Sequence, residues 1–206
     1  MKMIPKHHIA GILAVVFALM MAWGYGWPWS MRSAPMASGP GFTLENNMPK
    51  ASFGAGFART PTAETYLPDI TFFGPGGKKL QLADFKDKYL LINFWATWCA
   101  PCIAEMPAME QLRDKFKSKG MEVVAVSIDQ NKDEQILKNF LASHGISDFA
   151  LYYEKERGVQ DRITMPGIPL TFLLAPGGRI LYVFQGQGDW ISVEAIDFFS
   201  DILKNG

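Results

Sequence analysis

Two thiols stand three positions apart in Trp98-Cys99-Ala100-Pro101-Cys102, and they are the 2 cysteines of the 206-residue chain. Closing them into a disulfide would restrain little of the unfolded chain. On the loop-entropy account such a cross-link adds little stability. The pair therefore suits reversible redox chemistry better than structural stapling, and C-x-x-C beside a βαβ pattern is a redox signature. The competing chemistry is half of a zinc site. Structural zinc takes four ligands, and the chain has no second cysteine pair.

Positioning such a pair takes a strand that ends before it and a helix that begins on it. Leu90–Ala96 is a continuous apolar run suited to a strand buried on both faces. After Cys102, Ile103, Met106, Met109, Leu112 and Phe116 recur at helical spacing up to Gly120, which predicts a helix over 102–119 with a glycine stop. Val123–Ile128 predicts a second buried strand. Asn131, with Glu134 three residues on, predicts the cap of a second helix carrying Ile136, Leu137, Phe140 and Leu141 inward, with a stop at Gly145. Hairpins are predicted around Gly74-Pro75-Gly76-Gly77 and Pro176-Gly177-Gly178, the second joining Leu170–Leu174 to Arg179–Phe184. Ala195–Lys204 predicts a closing helix with Ile196, Phe199, Ile202 and Leu203 inward. The order predicts an α/β fold with a mixed sheet.

Composition narrows the partners. Half of the residues are apolar (49%), enough for a substantial core, and 20 basic residues balance 20 acidic ones. A neutral chain with no basic stripe speaks against a nucleic-acid partner.

Ile9–Trp29 contains no Asp, Glu, Lys or Arg. As a helix at ~1.5 Å per residue it would reach roughly 32 Å, the depth of a bilayer core of about 30 Å. Lys2 and Lys6 precede it, and Trp23, Tyr25, Trp27 and Trp29 cluster at its far end. By the positive-inside rule this places the remainder of the chain outside the cytoplasmic membrane. A cleaved signal peptide is the competing reading, but Ala22-Trp23-Gly24 and Arg32-Ser33-Ala34 are poor cleavage sites. Ser30–Thr62 is rich in Gly, Pro, Ser and Ala and reads as a flexible tether. Its Met31, Met36 and Met48 are soft ligands in principle and incidental linker residues by composition. The expected organisation is an anchor over 1–29, a linker over 30–64 and a globular domain over 65–206.

The element order, with Cys-Ala-Pro-Cys at a strand-to-helix junction, resembles a thioredoxin fold. Leu67-Pro68-Asp69, Leu82-Ala83-Asp84-Phe85, Asn93 to Cys102 and Ala104-Glu105-Met106-Pro107 resemble the membrane-tethered TlpA/ResA group. Gln130–Leu151 resembles that group's αβ insertion, and Gly167-Ile168-Pro169 its cis-proline loop. The resemblance implies a redox-active Cys99–Cys102 disulfide with no other cofactor. It implies that Glu105 exchanges a proton with Cys102, with Asn93 replacing the buried aspartate of thioredoxins proper. It also implies that Pro107 kinks the helix and that Ile168 and Pro169 face the dithiol and hold an extended substrate segment. Leu170 stands where subtypes that mature cytochrome c often carry a glutamate.

Placed at a helix N-terminus, Cys99 would be the more acidic thiol and the attacking one. Cys102, one turn in, would resolve the mixed disulfide. Pro101 lacks an N–H, a harmless loss in the first turn. Glu105 shares a helix face with Cys102, and partial burial would raise its pKa; the alternative role is an exposed first-turn acid on the helix dipole. Trp98 would rim the site and Trp95 pack in the core. His144 would cap the second helix, and Met165 would fill space.

Two functions of different class follow. One is a thiol–disulfide oxidoreductase that reduces extracytoplasmic partner proteins; the resemblance implies apocytochrome c or copper-site cysteines as partners and a membrane donor of the DsbD or CcdA type for the electrons. The other is a Cu(I)-binding metallochaperone module using the same two sulfurs.

Overall fold

The computed structural model describes residues 57–61, 64–130, 133–155 and 157–205, all within one compact unit, Phe42–Gly206. The expected membrane helix, most of the tether with its three methionines, and the expected cap residue Asn131 lie outside the described residues. Among the described residues no helix is long and apolar enough to cross a membrane.

Apolar runs buried on both faces fix the middle of the sheet. In chain order the elements are β1 (Phe57–Arg59), β2 (Thr71–Gly74), β3 (Lys78–Gln81), β4 (Tyr89–Trp95), α1 (Ala100–Phe116), β5 (Met121–Ser127), α2 (Glu134–Ser143), β6 (Tyr152–Tyr153), β7 (Leu170–Leu174), β8 (Ile180–Gln185) and α3 (Val193–Asn205). The eight strands form one sheet in the order β1-β8-β7-β4-β5-β6-β2-β3. β4 runs parallel to β5 and antiparallel to β7. All of β7, and β4 after its first residue, is buried, as strands covered on both faces must be. The sheet is mixed, as the element order predicts.

Two strands escape the sequence pattern. β1 falls inside the stretch read as tether, where no strand is expected. Its three residues pair antiparallel with β8 from Gln185 to Val183. Docking on an open sheet edge, not internal periodicity, makes it a strand. β6 is held by one register pair to β2, Phe73 with Tyr153, and by two to β5, Val126 with Tyr152 and Ser127 with Tyr153.

The helices follow their apolar faces, with three corrections. α1 starts at Ala100, two residues earlier than the spacing predicts, because Ala100 and Pro101 are exposed and lie off the buried face that the spacing follows. It buries Cys102, Glu105, Met106, Met109, Leu112 and Phe116. α2 is capped by Asp133, whose carboxylate accepts the Ile136 N–H at 2.9 Å, so the described cap lies two residues beyond Asn131. Ile136 is 48% exposed: α2 buries only the Leu137/Leu141 ridge, and Ile136 points off its flank. In α3, Ala195 and Phe199 are buried, while Ile196, Ile202 and Leu203 are half-covered. His144 closes α2 as expected, its Nδ1 2.9 Å from the Phe140 carbonyl oxygen and its ring stacked on Phe140.

Phe199 packs α3 against Phe184 of β8, Phe116 of α1 and Trp190 of the intervening turn, beside its helix neighbour Phe198. Phe199→Ala should lower unfolding free energy by about 3–5 kcal/mol, the cost of truncating a sealed aromatic. Denaturant titration checks this, and a loss under about 1 kcal/mol would mean that the cluster collapses around the gap.

Candidate active site

The site is built where β4 ends. Its last strand residue, Trp95, is buried, and Ile128 N–H donates to the Trp95 carbonyl at 2.9 Å. Beyond β5, the buried Asp129 carboxylate accepts the Thr97 N–H, the Thr97 hydroxyl and the Ser127 hydroxyl, each at 2.8 Å. The neighbouring strand thus clamps the turn that leads into the cysteines. Cys99 N–H donates back to Ala96 O at 3.0 Å, and Cys99 itself is the extended N-cap residue of α1.

Cys99 and Cys102 are joined as a disulfide with Cα atoms 5.3 Å apart. Cys102 is sealed, whereas Cys99 keeps 5% of its surface. The first turn of α1 holds no acid, so its free N–H groups and positive dipole end act on Cys99 unopposed. Ile168–Pro169 is a cis peptide, and Cys99 Sγ lies 3.7 Å from the Ile168 carbonyl oxygen. The structure therefore brings Cys99, Cys102, Ile168 and Pro169 together. Trp98 stands 71% exposed beside them, an apolar ring at the rim. Pro101 falls in the first turn, and Pro107 lies inside α1. Met165 packs half-buried against the core.

Glu105 is only 1% exposed; the exposed first-turn acid is thereby ruled out. Its Oε1 accepts from Asn93 Nδ2 at 3.0 Å, and its Oε2 accepts from Gly188 N and Trp190 Nε1, each at 2.9 Å. Asn93 Nδ2 also donates to Thr171 Oγ1 at 2.8 Å across the β4–β7 register. Burial pushes the Glu105 carboxyl up to about 7, against the pull of its three N–H donors. A carboxyl that titrates near neutrality, one helical turn beyond Cys102, can take a proton from a thiol and return it.

Sequence reasoning found both cysteines, Glu105, Asn93 and the cis-proline. It missed Gly188, Trp190, Thr171 and the Asp129 clamp. Asp129 follows Ser127 at the polar end of an otherwise apolar strand, a readable signal. Gly188 and Trp190 meet Glu105 from more than 80 residues away and leave no local one.

The raised Glu105 pKa has a thermodynamic consequence. The folded protein holds this proton up to about pH 7, whereas the unfolded chain releases it near the ordinary glutamate value. Stability is therefore full below about pH 4.3 and falls as pH rises through 7, by up to about 3 kcal/mol from this group. Glu105→Gln should flatten that slope in denaturant titrations across the interval. An unchanged slope would refute the assignment.

Comparison with known proteins agrees with this geometry. The sequence model of the AhpC/TSA family matches residues 64–183. The ResA thiol-disulfide oxidoreductase of Bacillus subtilis is 36% identical over 139 residues, covering 68% of this chain and 74% of that protein. The ResA of Oceanobacillus iheyensis is 38% identical over 107 residues, covering 52% of this chain and 54% of that protein, so this chain spans about half of that relative. A crystal structure from Chlorobium tepidum, described as a thiol:disulfide interchange protein DsbE, superposes with TM-score 0.57 at 25% identity, covering 77% of this chain and 98% of that one.

Proposed function

We propose a substrate class, a direction and residue roles for a chain that belongs to the AhpC/TSA family and is a thiol-disulfide oxidoreductase of the ResA/DsbE type. It reduces disulfides of partner proteins outside the cytoplasm, tethered to the membrane by residues 9–29. Its partners are apocytochrome c or the cysteines of copper sites, and a membrane thiol donor of the DsbD or CcdA type returns electrons to it. The charge-free apolar span behind Lys2 and Lys6 supports the tether and the compartment.

The observation that carries the residue roles is a buried carboxyl of near-neutral pKa set one turn past a sealed cysteine. In the reduced protein Cys99, favoured as thiolate by the helix N-terminus, attacks one sulfur of the substrate disulfide. A Cys99–substrate disulfide forms and the first substrate sulfur leaves as thiolate. Glu105 takes the proton of Cys102, whose thiolate attacks Cys99 Sγ. The second substrate sulfur leaves, the Cys99–Cys102 disulfide closes, and two electrons have passed to the substrate. Glu105 then gives up its proton to solvent or to a departing thiolate. Trp98 and the Ile168–Pro169 backbone bracket the substrate chain, with Ile168 offering main-chain groups to an extended segment. Asn93, Pro101 and Pro107 support this geometry without touching substrate.

A Cu(I) carrier using the same two sulfurs would leave the buried Glu105 without a task. Insulin reduction separates the two readings: Cys99→Ser should abolish it, whereas a copper carrier would reduce insulin no faster than a free dithiol. Cys102→Ser should hold its substrate as a mixed disulfide on Cys99, recoverable from native membranes and identified by mass. Recovery of no adduct, with cellular activity like that of the unaltered protein, would defeat the enzyme roles assigned here.

A further inference from the structure

The two oxygens of Glu105 are not equivalent. Oε2 faces two N–H groups, Gly188 N and Trp190 Nε1, each at 2.9 Å. Neither group can accept a hydrogen bond, so a proton on Oε2 would be driven against two donors. Oε1 faces one partner, the Asn93 amide. That amide is buried, and its Oδ1 makes no hydrogen bond. Turning the amide over exchanges Nδ2 for Oδ1, which then accepts from a protonated Oε1 and from the Thr171 hydroxyl.

The turn that supplies the Oε2 donors is shaped for the indole. A Cβ on Gly188 would lie 2.7 Å from Trp190 Cε2 and 2.9 Å from Cζ2, so the ring occupies the space a side chain would need. The ring is sealed from solvent and packs edge-on against Phe184. We infer that the Gly188-Asp189-Trp190 turn is a built receptor for Glu105 that ties down Oε2, directs the exchangeable proton to Oε1, and makes Trp190 a positioning residue for the exchange reaction. This rests on Glu105 acting as the proton-exchanging group.

The surroundings of the carboxyl are otherwise neutral. α1 presents Cys102, β4 presents Asn93 and β7 presents Thr171; in the turn, Asp189 is exposed. Burial and the three N–H donors thus govern the carboxyl, and removal of one donor has a defined sign.

The test is carboxyl ¹³C titration of the full-length oxidised chain labelled at glutamate, with Glu105→Gln assigning the resonance. Trp190→Phe keeps a ring against Phe184 and deletes one donor. The Glu105 midpoint should rise by about one pH unit or more, as expected for one hydrogen bond to a charged group. Gly188→Ala, which displaces the indole, should move it the same way. An unmoved midpoint in whichever of these variants folds overturns the inference. A measurement on the unaltered protein needs no variant: the ¹⁵N-labelled Trp190 indole N–H resonance should follow pH with the Glu105 midpoint, and an indole indifferent to pH also overturns it. Unimpaired disulfide exchange in Glu105→Gln would instead remove the proton-exchange reading, and the titration would still report whether Trp190 binds the carboxyl.

Discussion

A carboxyl group enclosed between a helix and a sheet is the constraint on which the architecture of this site depends. Such a group cannot be buried as a bare charge, and it cannot be left without partners. The chain answers with neutral N–H donors drawn from positions 12, 83 and 85 residues away in sequence. Donors of this kind hold the carboxylate in place without cancelling its charge. Burial raises the acid and these donors offset it only in part, so it settles near neutrality rather than at the low value an arginine neighbour would impose. The same three contacts join α1 to β4 and to the turn after β8.

The second fixed point is the strand-to-helix turn. Asp129 spends its carboxylate on the Thr97 backbone, the Thr97 hydroxyl and Ser127. It therefore holds the end of β5 to the residues just before Cys99. Together with the Cys99 N–H bond to Ala96, this sets the sulfur at the helix end that favours a thiolate. The reactive atom is thus positioned by ordered backbone on one side and by the Ile168 carbonyl on the other, an arrangement that limits the reorganisation needed for attack. The exposed Trp98 ring is the apolar exception in this polar clamp, and it faces outward.

Most of this was legible where chemistry and periodicity coincide locally. The buried strands declared themselves as apolar runs, the hairpins as Gly-Pro turns and the dithiol by its spacing. Glu105 shared a face with Cys102 by helical arithmetic alone. What stayed hidden depended on tertiary contact. β1 is a strand only because β8 offers it an edge, and β6 because two neighbours flank it. Ile136 looked inward by periodicity, yet α2 has too narrow a buried ridge to cover it. Gly188 and Trp190 carry no local mark in the sequence. Only the fold shows that the glycine is there to admit the indole and the indole to reach a carboxylate.

The identity of residue 93 determines how many protons this core can carry. An aspartate there would place a second carboxyl against Glu105 and Thr171. Two carboxylates so close cannot both ionise in the core, and they would share protons as a coupled pair with two apparent titrations. An amide removes that coupling. It donates to the ionised Glu105 through Nδ2, and, turned over, it accepts from the neutral one through Oδ1. One group then titrates, on one oxygen, with a neutral partner suited to either state. The neutral side chain at position 93 and the acid at position 105 are therefore a single solution: the helix carries the one proton site, and the sheet meets it with an amide suited to either of its states.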